Sequence, residues 1–303
     1  MFPYDAVLVT GGSGRLGRAV VKELNDHCAV STIDCAPAAF ALPHGVVDIL
    51  DLQALYKAIK GHDAVVHIAA LDSHVKATPG EVFKTNAIGT WNVLHAAFEA
   101  GVRKVVVCSS NAVTGLNFSN KDRPPLYLPY DEDHPLHPTH AYGLSKQIGE
   151  VAARSFADQG RMEVICLRPS YVAFSDIVRL MVARVQEPER THFPWMAVGE
   201  YLEPLQLLRS YVHPTDVARC FRLALEAKNI RYDVFFVSAA DSFDATPTLA
   251  HIETTYGRLP DIRKPWIFER NPYASVIDCA RARERLGWEP TTDWETLSGI
   301  KRG

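Results

Sequence analysis

The chain has 303 residues, of which 47% are hydrophobic and 22% are charged, and its formal net charge is -3. This composition is ordinary for a globular protein, and the near-neutral charge without a basic cluster argues against a nucleic-acid-binding protein. No apolar run approaches the roughly 20 residues that a membrane helix needs. We therefore predict no nucleic-acid partner and no membrane partner.

The six cysteines are scattered along the chain and include no C-x-x-C pair: Cys28, Cys35, Cys108, Cys166, Cys220 and Cys279. In a chain of this size, such cysteines are typical of reduced, mostly buried thiols. The opening residues MFPYDAVLVT contain neither the basic stretch nor the long apolar stretch of a secretory signal. We therefore expect a cytoplasmic protein.

Short apolar runs alternate with helical patterns through the first half of the chain. They predict strands at 6–10, 29–34, 64–70, 104–110 and 163–170, and helices at 15–25, 51–61, 81–101 and 139–160. The strands are continuously apolar, which is typical of a sheet covered by helices on both faces. The predicted fold class is α/β, a Rossmann-type doubly wound parallel sheet that binds ligands beyond the carboxyl ends of its strands.

The alternation ends after Arg168. The segment 190–216 is rich in aromatic residues and prolines and is predicted to form loops and short elements. A helix at 216–227, a strand at 232–239, and a final short strand and helix closed by Gly287 are expected to follow. We predict a nucleotide-binding domain at 1–168 and a smaller, mainly substrate-binding domain at 169–303, whose segment 211–240 can return to the first sheet.

The sequence TGGSGRLG links the first strand to the first helix. Gly11, Gly14 and Gly17 have the spacing that suits a tight turn, close approach of the backbone to a pyrophosphate, and close helix–strand packing. The following helix offers free N–H groups at its first residues, which include Arg15 and Leu16, and the positive end of its dipole. We predict a dinucleotide-binding loop, with a plain turn as the alternative.

Asp34 ends the next predicted strand, 23 residues after Gly11. A carboxylate at this place can accept hydrogen bonds from the adenosine ribose hydroxyls, and it repels a 2′-phosphate. This favours NAD over NADP, although Arg15 or Arg18 could still reach such a phosphate. The alternative role of Asp34 is that of a turn residue before Pro37.

Asp48 and Ile49 follow a third short strand. Asp48 is placed to meet the edge of the adenine ring, and Ile49 is placed to lie against its face. A helix N-cap is the competing explanation for Asp48.

Tyr142 and Lys146 form a Y-x-x-x-K pair within AYGLSK. Helical i,i+4 spacing puts both side chains on one face. An ammonium beside a phenol stabilises the phenolate and is expected to lower its pKa from about 10, giving a general base that works near neutral pH. Ser109 and Ser110, at the end of the preceding strand, can supply a hydroxyl that binds a substrate oxygen.

Five motifs occur in a recognisable order: TGxxGxxG, HIAA after the fourth strand, NAIGTWNVL, SSNAVTG and YxxxK. In this order they resemble the extended short-chain dehydrogenase/reductase family, the NAD-dependent epimerase/dehydratase group. The resemblance covers residues 5–170 and continues weakly at 209–218 and 282–290. It implies that Tyr142 transfers a proton, that Lys146 holds the nicotinamide ribose, and that Ser110 binds the reacting oxygen.

The same resemblance implies NAD as the cofactor and adds five cofactor contacts. Asn86 is expected near the cofactor, although a helix-surface amide is its alternative role. The remaining contacts are two residues that pass close to the cofactor, Ala69 and Ala70, and two that border the nicotinamide amide, Pro169 and Ser170.

The reaction remains open between a sugar or sugar-acid dehydrogenase and a (nucleotide-)sugar epimerase. Dehydratases of the group carry an Asp-Glu pair where this chain has Asn111 and Ala112, so dehydration is disfavoured. TGGSGRLGR and SSNAVTG resemble uronate and related sugar dehydrogenases, which implies a substrate contact for Asn111, although their usual histidine is replaced by Ala112. Tyr171 stands where nucleotide-sugar enzymes have asparagine, whereas the retained Arg209 could bind a phosphate or another substrate group. We favour the dehydrogenase, with a carbohydrate as substrate.

Two further hypotheses are weaker. A non-catalytic dinucleotide-sensing regulator should have lost Tyr142 or Lys146, and both are present. His134, His137 and His140 lie in a proline-rich loop without helical metal-ligand spacing, so we predict an active-site loop and no metal. By analogy with dimers of the family, helices at 81–100 and 139–158 are expected to pair in a homodimer.

Overall fold

The computed structural model describes residues 2–39, 41–72, 77–116, 123–187 and 208–302. Within these ranges the chain forms eleven strands: β1 Ala6–Thr10, β2 Ala29–Asp34, β3 His44–Val46, β4 Ala64–His67, β5 Lys104–Cys108, β6 Tyr127–Leu128, β7 Glu163–Pro169, β8 Tyr171–Val172, β9 Tyr211–Val212, β10 Tyr232–Val237 and β11 Asp261–Ile262. The same ranges contain eleven α-helices: α1 Arg15–Leu24, α2 Leu52–Ile59, α3 Pro79–Phe83, α4 Gly89–Glu99, α5 Ala141–Asp158, α6 Ser175–Gln186, α7 Pro214–Glu226, α8 Thr248–Tyr256, α9 Pro265–Arg270, α10 Ala280–Leu286 and α11 Trp294–Ser298.

Seven of the strands form one parallel sheet in the order β10-β7-β5-β4-β1-β2-β3. The chain runs from β1 outward to β2 and β3, and then crosses to β4 on the other side of β1. The strand order therefore reverses at the carboxyl end of β1, which is where ligands bind in sheets of this kind. The predicted Rossmann-type doubly wound fold is confirmed.

Helices cover both faces of this sheet. On one face α1 packs against α7, and on the other α2, α4 and α5 pack in a row. Val7 and Val9 of β1 belong to the apolar core under α1 and α7, whereas Leu8 belongs to the core on the opposite face. Each such fully buried side chain contributes roughly 1.5–3 kcal/mol relative to an exposed one, and burial on both faces explains the continuously apolar strands.

Two smaller apolar clusters complete the core. One surrounds Tyr130 and Phe236, and the other surrounds Tyr211, Phe243 and Trp294. The short pairs β6–β11 and β8–β9 lie outside the central sheet. β10, by contrast, lies in the central sheet beside β7, so the C-terminal half of the chain contributes to both parts. The division into two domains stays a prediction.

Three strand predictions need correction. β4 ends at His67 rather than at residue 70, and β5 ends at Cys108 rather than at residue 110. In both cases the following residues leave the ladder and line the carboxyl edge of the sheet. The strand expected near residues 274–278 forms only isolated bridges, Tyr130 with Ile277 and Asp241 with Ala274.

The predicted helix at 81–101 consists of three pieces. α3 and α4 flank a π-helical turn at Lys84–Ile88, a distortion that is frequent at functional sites. α5 begins at Ala141 because the His140 ring accepts a hydrogen bond from the amide of Gly143 and caps the helix. α10 ends at Gly287, which has a φ of +65°, as the glycine predicts. The predicted loops at 190–207 lie outside the described residues.

Candidate active site

The glycine loop between β1 and α1 contains positions at which the backbone leaves no space for a side chain. Gly11 has a φ of +73°, and a Cβ atom there would lie 2.6 Å from the amide nitrogen of Ala69. A Cβ atom on Gly17 would lie 2.0 Å from the carbonyl oxygen of Gly11. Gly14 is the N-cap of α1 and leaves the first amides of the helix, from Arg15 to Gly17, without a side-chain cap. The loop therefore presents free N–H groups at a helix N-terminus, the arrangement that suits a pyrophosphate.

The side chain of Arg15 points away from the adenosine side of the loop. It forms an ion pair with Asp176 of α6 and lies 4.0 Å from the centre of the Phe174 ring. Arg18 remains on the loop, because its Nε donates to the carbonyl oxygen of Ser13 at 2.9 Å. Of the two arginines, Arg15 thus contacts α6 and Arg18 contacts the loop itself.

Asp34 ends β2 directly beside the glycine loop. Its carboxylate accepts hydrogen bonds from the amide of Ser13 at 3.0 Å and from the amide of Ala36 at 3.0 Å. Asp34 therefore shapes the turn after β2 and also holds the glycine loop. The ribose contact stays a prediction.

Asp48 is not a helix N-cap. The N-cap of α2 is Asp51, whose side chain accepts from the amide of Ala54 at 3.0 Å, whereas Asp48 accepts from the amide of Leu50. The capping alternative is wrong because the helix begins one turn later than Asp48. Ile49 is buried, and a Cβ atom on Gly89 of α4 would meet its Cδ1 at 2.3 Å.

A buried histidine joins the ends of β1 and β4. The Nδ1 atom of His67 lies 2.8 Å from the Thr10 hydroxyl, and Nε2 lies 3.0 Å from the Thr90 hydroxyl of α4. The Thr10 hydroxyl also accepts from the amides of Ile68 and Ala69. Burial, with a smaller contribution from the charge of Lys146, lowers the pKa of His67 to about 3. The ring is therefore neutral at physiological pH, and Ala69 and Ala70 follow directly after this junction.

Asn86 is buried in the π-helical turn, so its alternative role as a surface amide is wrong. Its Oδ1 accepts from the amide of Leu71 at 2.8 Å, and its Nδ2 donates to the carbonyl oxygen of Leu71 at 2.9 Å. Nδ2 also lies 3.2 Å from the hydroxyl of Ser145 on α5. Asn86 thus holds the segment after β4 against the helix that carries Tyr142.

Ser110, Tyr142 and Lys146 meet at the carboxyl edge of the sheet. The Ser110 side chain caps the 3-10 turn Asn111–Thr114 and hydrogen-bonds the phenol of Tyr142. The Nζ of Lys146 lies 5.7 Å from the centre of the Tyr142 ring and donates to the carbonyl oxygen of Cys108 at 2.8 Å. A hydroxyl, a phenol and an ammonium group are therefore adjacent.

The expected lowering of the Tyr142 pKa is wrong. Burial raises the pKa of Tyr142 well above its ordinary value, the negative charge of Asp72 raises it further, and the hydrogen bond with Ser110 only partly opposes this. Burial also lowers the pKa of Lys146. The phenolate thus depends on positive charge brought close to Tyr142, because desolvation outweighs what the surrounding protein supplies.

Pro169 and Ser170 occupy the end of β7. Ser170 is buried, its amide donates to the carbonyl oxygen of Val237 at 2.9 Å, and its Oγ has no hydrogen-bond partner within the described part of the chain. A buried hydroxyl without a partner is costly unless a ligand satisfies it. The amide group of a nicotinamide would supply such a partner.

The two predicted substrate residues face protein groups. Asn111 is buried beside the hydroxyl of Tyr130. The Nε of Arg209 lies 3.2 Å from a carboxylate oxygen of Asp244, which is also 3.3 Å from Nδ1 of His251. The carboxylate already neutralises Arg209, so a free cation for a substrate phosphate is not what the structure presents there. Both substrate contacts stay predictions.

Three side chains to which the motifs assign no role lie at or beneath the site. His67 is the first residue of the HIAA motif, and the charge of Asp72 acts on the pKa of Tyr142. Glu150 follows Lys146 by four residues on α5 and binds the guanidinium of Arg168. Its i,i+4 spacing from Lys146 is a signal that could have identified it.

The residues present fit NAD at two separate points. At the glycine loop, Cβ atoms would clash with backbone atoms, so that only glycine fits. On the opposite side of the switch point, Ser170 offers a buried hydroxyl without a hydrogen-bond partner among the described residues. Among the described residues, no group of three His, Cys, Asp or Glu side chains is placed to hold a metal ion. No helix in the described ranges has the length and apolar character to cross a membrane.

Comparison with known proteins gives one family. The sequence profile of the NAD dependent epimerase/dehydratase family matches residues 7–237. An L-arabinose 1-dehydrogenase (NAD(P)(+)) of Haloferax volcanii is 31% identical over 73% of this chain and 82% of its own length. A UDP-glucose 4-epimerase of Azospirillum brasilense is 29% identical over 98% of this chain and 90% of its own length.

A solved structure extends the likeness to three dimensions. The crystal structure of a short-chain dehydrogenase/reductase superfamily protein from Agrobacterium tumefaciens with bound NAD superimposes with a TM-score of 0.70. The two chains are 29% identical, and the superposition covers 97% of this chain and 95% of the other.

Proposed function

The chain belongs to the NAD dependent epimerase/dehydratase family, and from that premise we propose that it oxidises a carbinol carbon of a sugar or sugar acid. The observation that carries the proposal is the adjacency of Ser110, Tyr142 and Lys146 at the carboxyl edge of the sheet, on the same edge as the glycine loop. NAD⁺, when bound, supplies the hydride acceptor.

Tyr142 is the proposed general base. As the phenolate it accepts the proton of the substrate hydroxyl, while the Ser110 hydroxyl holds the same substrate oxygen. Burial raises the pKa of Tyr142, so the phenolate needs a positive charge close by, and the ammonium of Lys146 is the group proposed to contribute it. One N–H of Lys146 is held by the Cys108 carbonyl, and its other two hydrogens remain for the nicotinamide ribose and the phenolate.

Asp34, the glycine loop, Asp48 and Ile49 would hold the adenosine end of NAD, and Ser170 would satisfy the nicotinamide amide. The buried Ile49 would support the adenine face. Asn86 would act by holding the segment that contains Ala69 and Ala70 in place. These roles make NAD binding separable from proton transfer by Tyr142.

The second candidate is a sugar epimerase that returns the hydride to the opposite face of the oxidised carbon. The similarity of the epimerase relative over nearly the whole chain supports it. The dehydrogenase is favoured because the glycine-loop and serine motifs resemble sugar dehydrogenases. A nucleotide-sensing regulator is the third alternative, and the presence of both Tyr142 and Lys146 argues against it.

The test is incubation of the protein with NAD⁺ and a panel of free sugars, aldonates, uronates and UDP-sugars. Accumulation of NADH with a free sugar or acid is expected for the dehydrogenase. Conversion of a UDP-sugar to its epimer without net NADH would overturn that choice.

Tyr142→Phe sharpens the test because it removes only the phenolic oxygen. We expect turnover to fall by about 100- to 10,000-fold, the usual contribution of a general acid–base, while NADH affinity stays near the wild-type value. Wild-type turnover in this variant would remove the mechanism.

We further propose that the protein is a cytoplasmic homodimer. The outer faces of α4 and α5 expose apolar side chains, among them Trp91 at 46% and Val151 at 61%. Exposed apolar surface of this kind marks a contact with another protein, and all six cysteines are free thiols, which suits a reducing compartment. Light scattering after size exclusion should give twice the chain mass of 33.6 kDa, and a monomer would contradict the dimer.

A further inference from the structure

A buried ion pair lies directly beneath the site. The Nε of Arg168 donates to Oε1 of Glu150 at 2.8 Å, and Nη2 donates to Oε2 at 2.7 Å. The hydroxyl of Ser109 donates to the same Oε1 at 2.6 Å. All three residues are less than 5% exposed. The carboxylate is therefore fully engaged, by two N–H groups of Arg168 on β7 and by the hydroxyl of Ser109, which directly follows the neighbouring strand β5.

The ion pair connects the three segments that carry the proposed active-site groups. Glu150 lies on α5, one helical turn beyond Lys146 and two turns beyond Tyr142. Ser109 stands between Cys108, whose carbonyl accepts from Lys146, and Ser110.

Arg168 completes the connection on β7. It is followed by Pro169 and then by Ser170, the buried hydroxyl at the end of the strand. Glu150 thus joins the helix with the base to the strand ends that carry the oxygen-binding serine and the nicotinamide-side serine.

A need for stability does not account for this arrangement. Replacing a buried ion pair by apolar side chains of similar volume is often neutral or stabilising, because the charges no longer have to be desolvated. Apolar packing does not reproduce the directionality of hydrogen bonds. Three charge-assisted hydrogen bonds of fixed geometry define one relative placement of the three segments.

We propose that Glu150, through Arg168 and Ser109, is a positioning residue that sets the placement of Tyr142 and Lys146 relative to Ser110 and Ser170. The proposal rests on the proposed function of these four residues. Small misplacements of reacting groups are costly to rate. Glu150 itself touches neither substrate nor cofactor in this assignment.

A triple variant separates positioning from folding. Glu150→Leu, Arg168→Met and Ser109→Ala together leave no buried partner of the network unpaired, and Glu132, which also faces Arg168, keeps its own ion pair with Arg281 at 3.4 Å. We expect a melting temperature near the wild-type value, a kcat at least about 10-fold lower, an unchanged KM for the sugar, and a higher Kd for NADH measured by fluorescence titration.

Single variants keep the test decisive if the triple variant does not fold. Ser109→Ala removes one hydrogen bond from the network and should lower kcat about threefold, in line with the modest worth of one such bond. Arg302→Met is the matched control, because Arg302 forms a similarly buried ion pair with Asp241. Both residues are distant in sequence from Ser109, Glu150 and Arg168. This substitution should lower the melting temperature and leave kcat and NADH affinity unchanged.

The outcomes distinguish the two proposals. A folded triple variant, or failing that Ser109→Ala, with wild-type kcat and NADH affinity overturns the positioning role. If Tyr142→Phe is inactive in the same assay, the proposed function survives that result. If Tyr142→Phe keeps wild-type turnover, the proposed function fails whatever the triple variant does, and NADH affinity alone then decides whether Glu150 positions the cofactor-side groups.

Discussion

The glycine loop and the amino-terminal half of α5 are the two ends of the proposed site, and they are constructed differently. The loop requires glycine at two positions, since a Cβ atom on Gly11 or Gly17 would clash with backbone atoms. The catalytic end is shaped by buried polar side chains, among them Asn86, Glu150 and Lys146, whose partners lie on other elements.

The two ends should therefore be sensitive to different kinds of substitution. Backbone packed against backbone cannot move aside easily, so the loop should not tolerate a side chain at Gly11 or Gly17. A polar network can be replaced by apolar packing at little cost in stability, so the catalytic end can lose its geometry while the fold survives. Substitutions at the two ends should therefore fail in different assays.

Among substitutions that test this contrast through NADH binding, Gly17→Ala at the loop should have the largest effect. The added Cβ atom would lie 2.0 Å from the carbonyl oxygen of Gly11, so α1 must move away from the loop. Overpacking of this kind costs about 1–3 kcal/mol. If that cost falls on the loop geometry that binds the pyrophosphate, NADH affinity should drop by about 10- to 100-fold, as measured by fluorescence titration.

Gly80→Ala is the matched control for this substitution. Gly80 lies in α3, and a Cβ atom there would meet nothing within 4 Å. It should leave NADH affinity unchanged and stabilise the protein slightly, because alanine restricts the unfolded chain. Wild-type affinity in Gly17→Ala would show that the loop can move aside, and the comparison between the two ends would fail.

The same contrast explains what could be predicted from the sequence. The sheet, the glycine loop and the face shared by Tyr142 and Lys146 follow from local spacing, because strand and helix periodicity fix which neighbours can meet. Asn86 required knowledge of Leu71 and Ser145, the latter 59 residues away. No periodicity relates such partners, so its buried role could not be derived.

What the motifs do not reveal about the site has the same origin. The carboxylate that neutralises Arg209 belongs to Asp244 on a later segment, and the cap of α2 depends on which of two nearby aspartates meets the first helical amides. The direction of the Tyr142 pKa was also beyond the motif, because desolvation depends on everything packed around the phenol. Residue type and spacing identify candidates, but burial and distant partners decide their charge.

The smallest effect concerns His67, which joins the two ends through Thr10 at the loop and Thr90 on α4. Its pKa is lowered from 6.5 to about 3, first by burial and then by the charge of Lys146. Below pH 6.5 the unfolded chain binds a proton at this ring, whereas the folded protein does not bind it until the pH nears 3. The stability contributed by the neutral ring is thus present above pH 6.5 and is lost as the pH falls.

Linkage gives the size of this loss, about 1.4 kcal/mol per pH unit for one proton. In urea unfolding at pH 6, 5 and 4, His67→Gln should therefore lose stability less steeply than the wild type, by up to that amount per pH unit. The same substitution at the exposed His27 is the control. Equal slopes for His67→Gln and the wild type would mean that the ring accepts a proton without unfolding. The contacts of His67 with Thr10 and Thr90 would then change with pH, and they would not hold the loop and α4 in one arrangement.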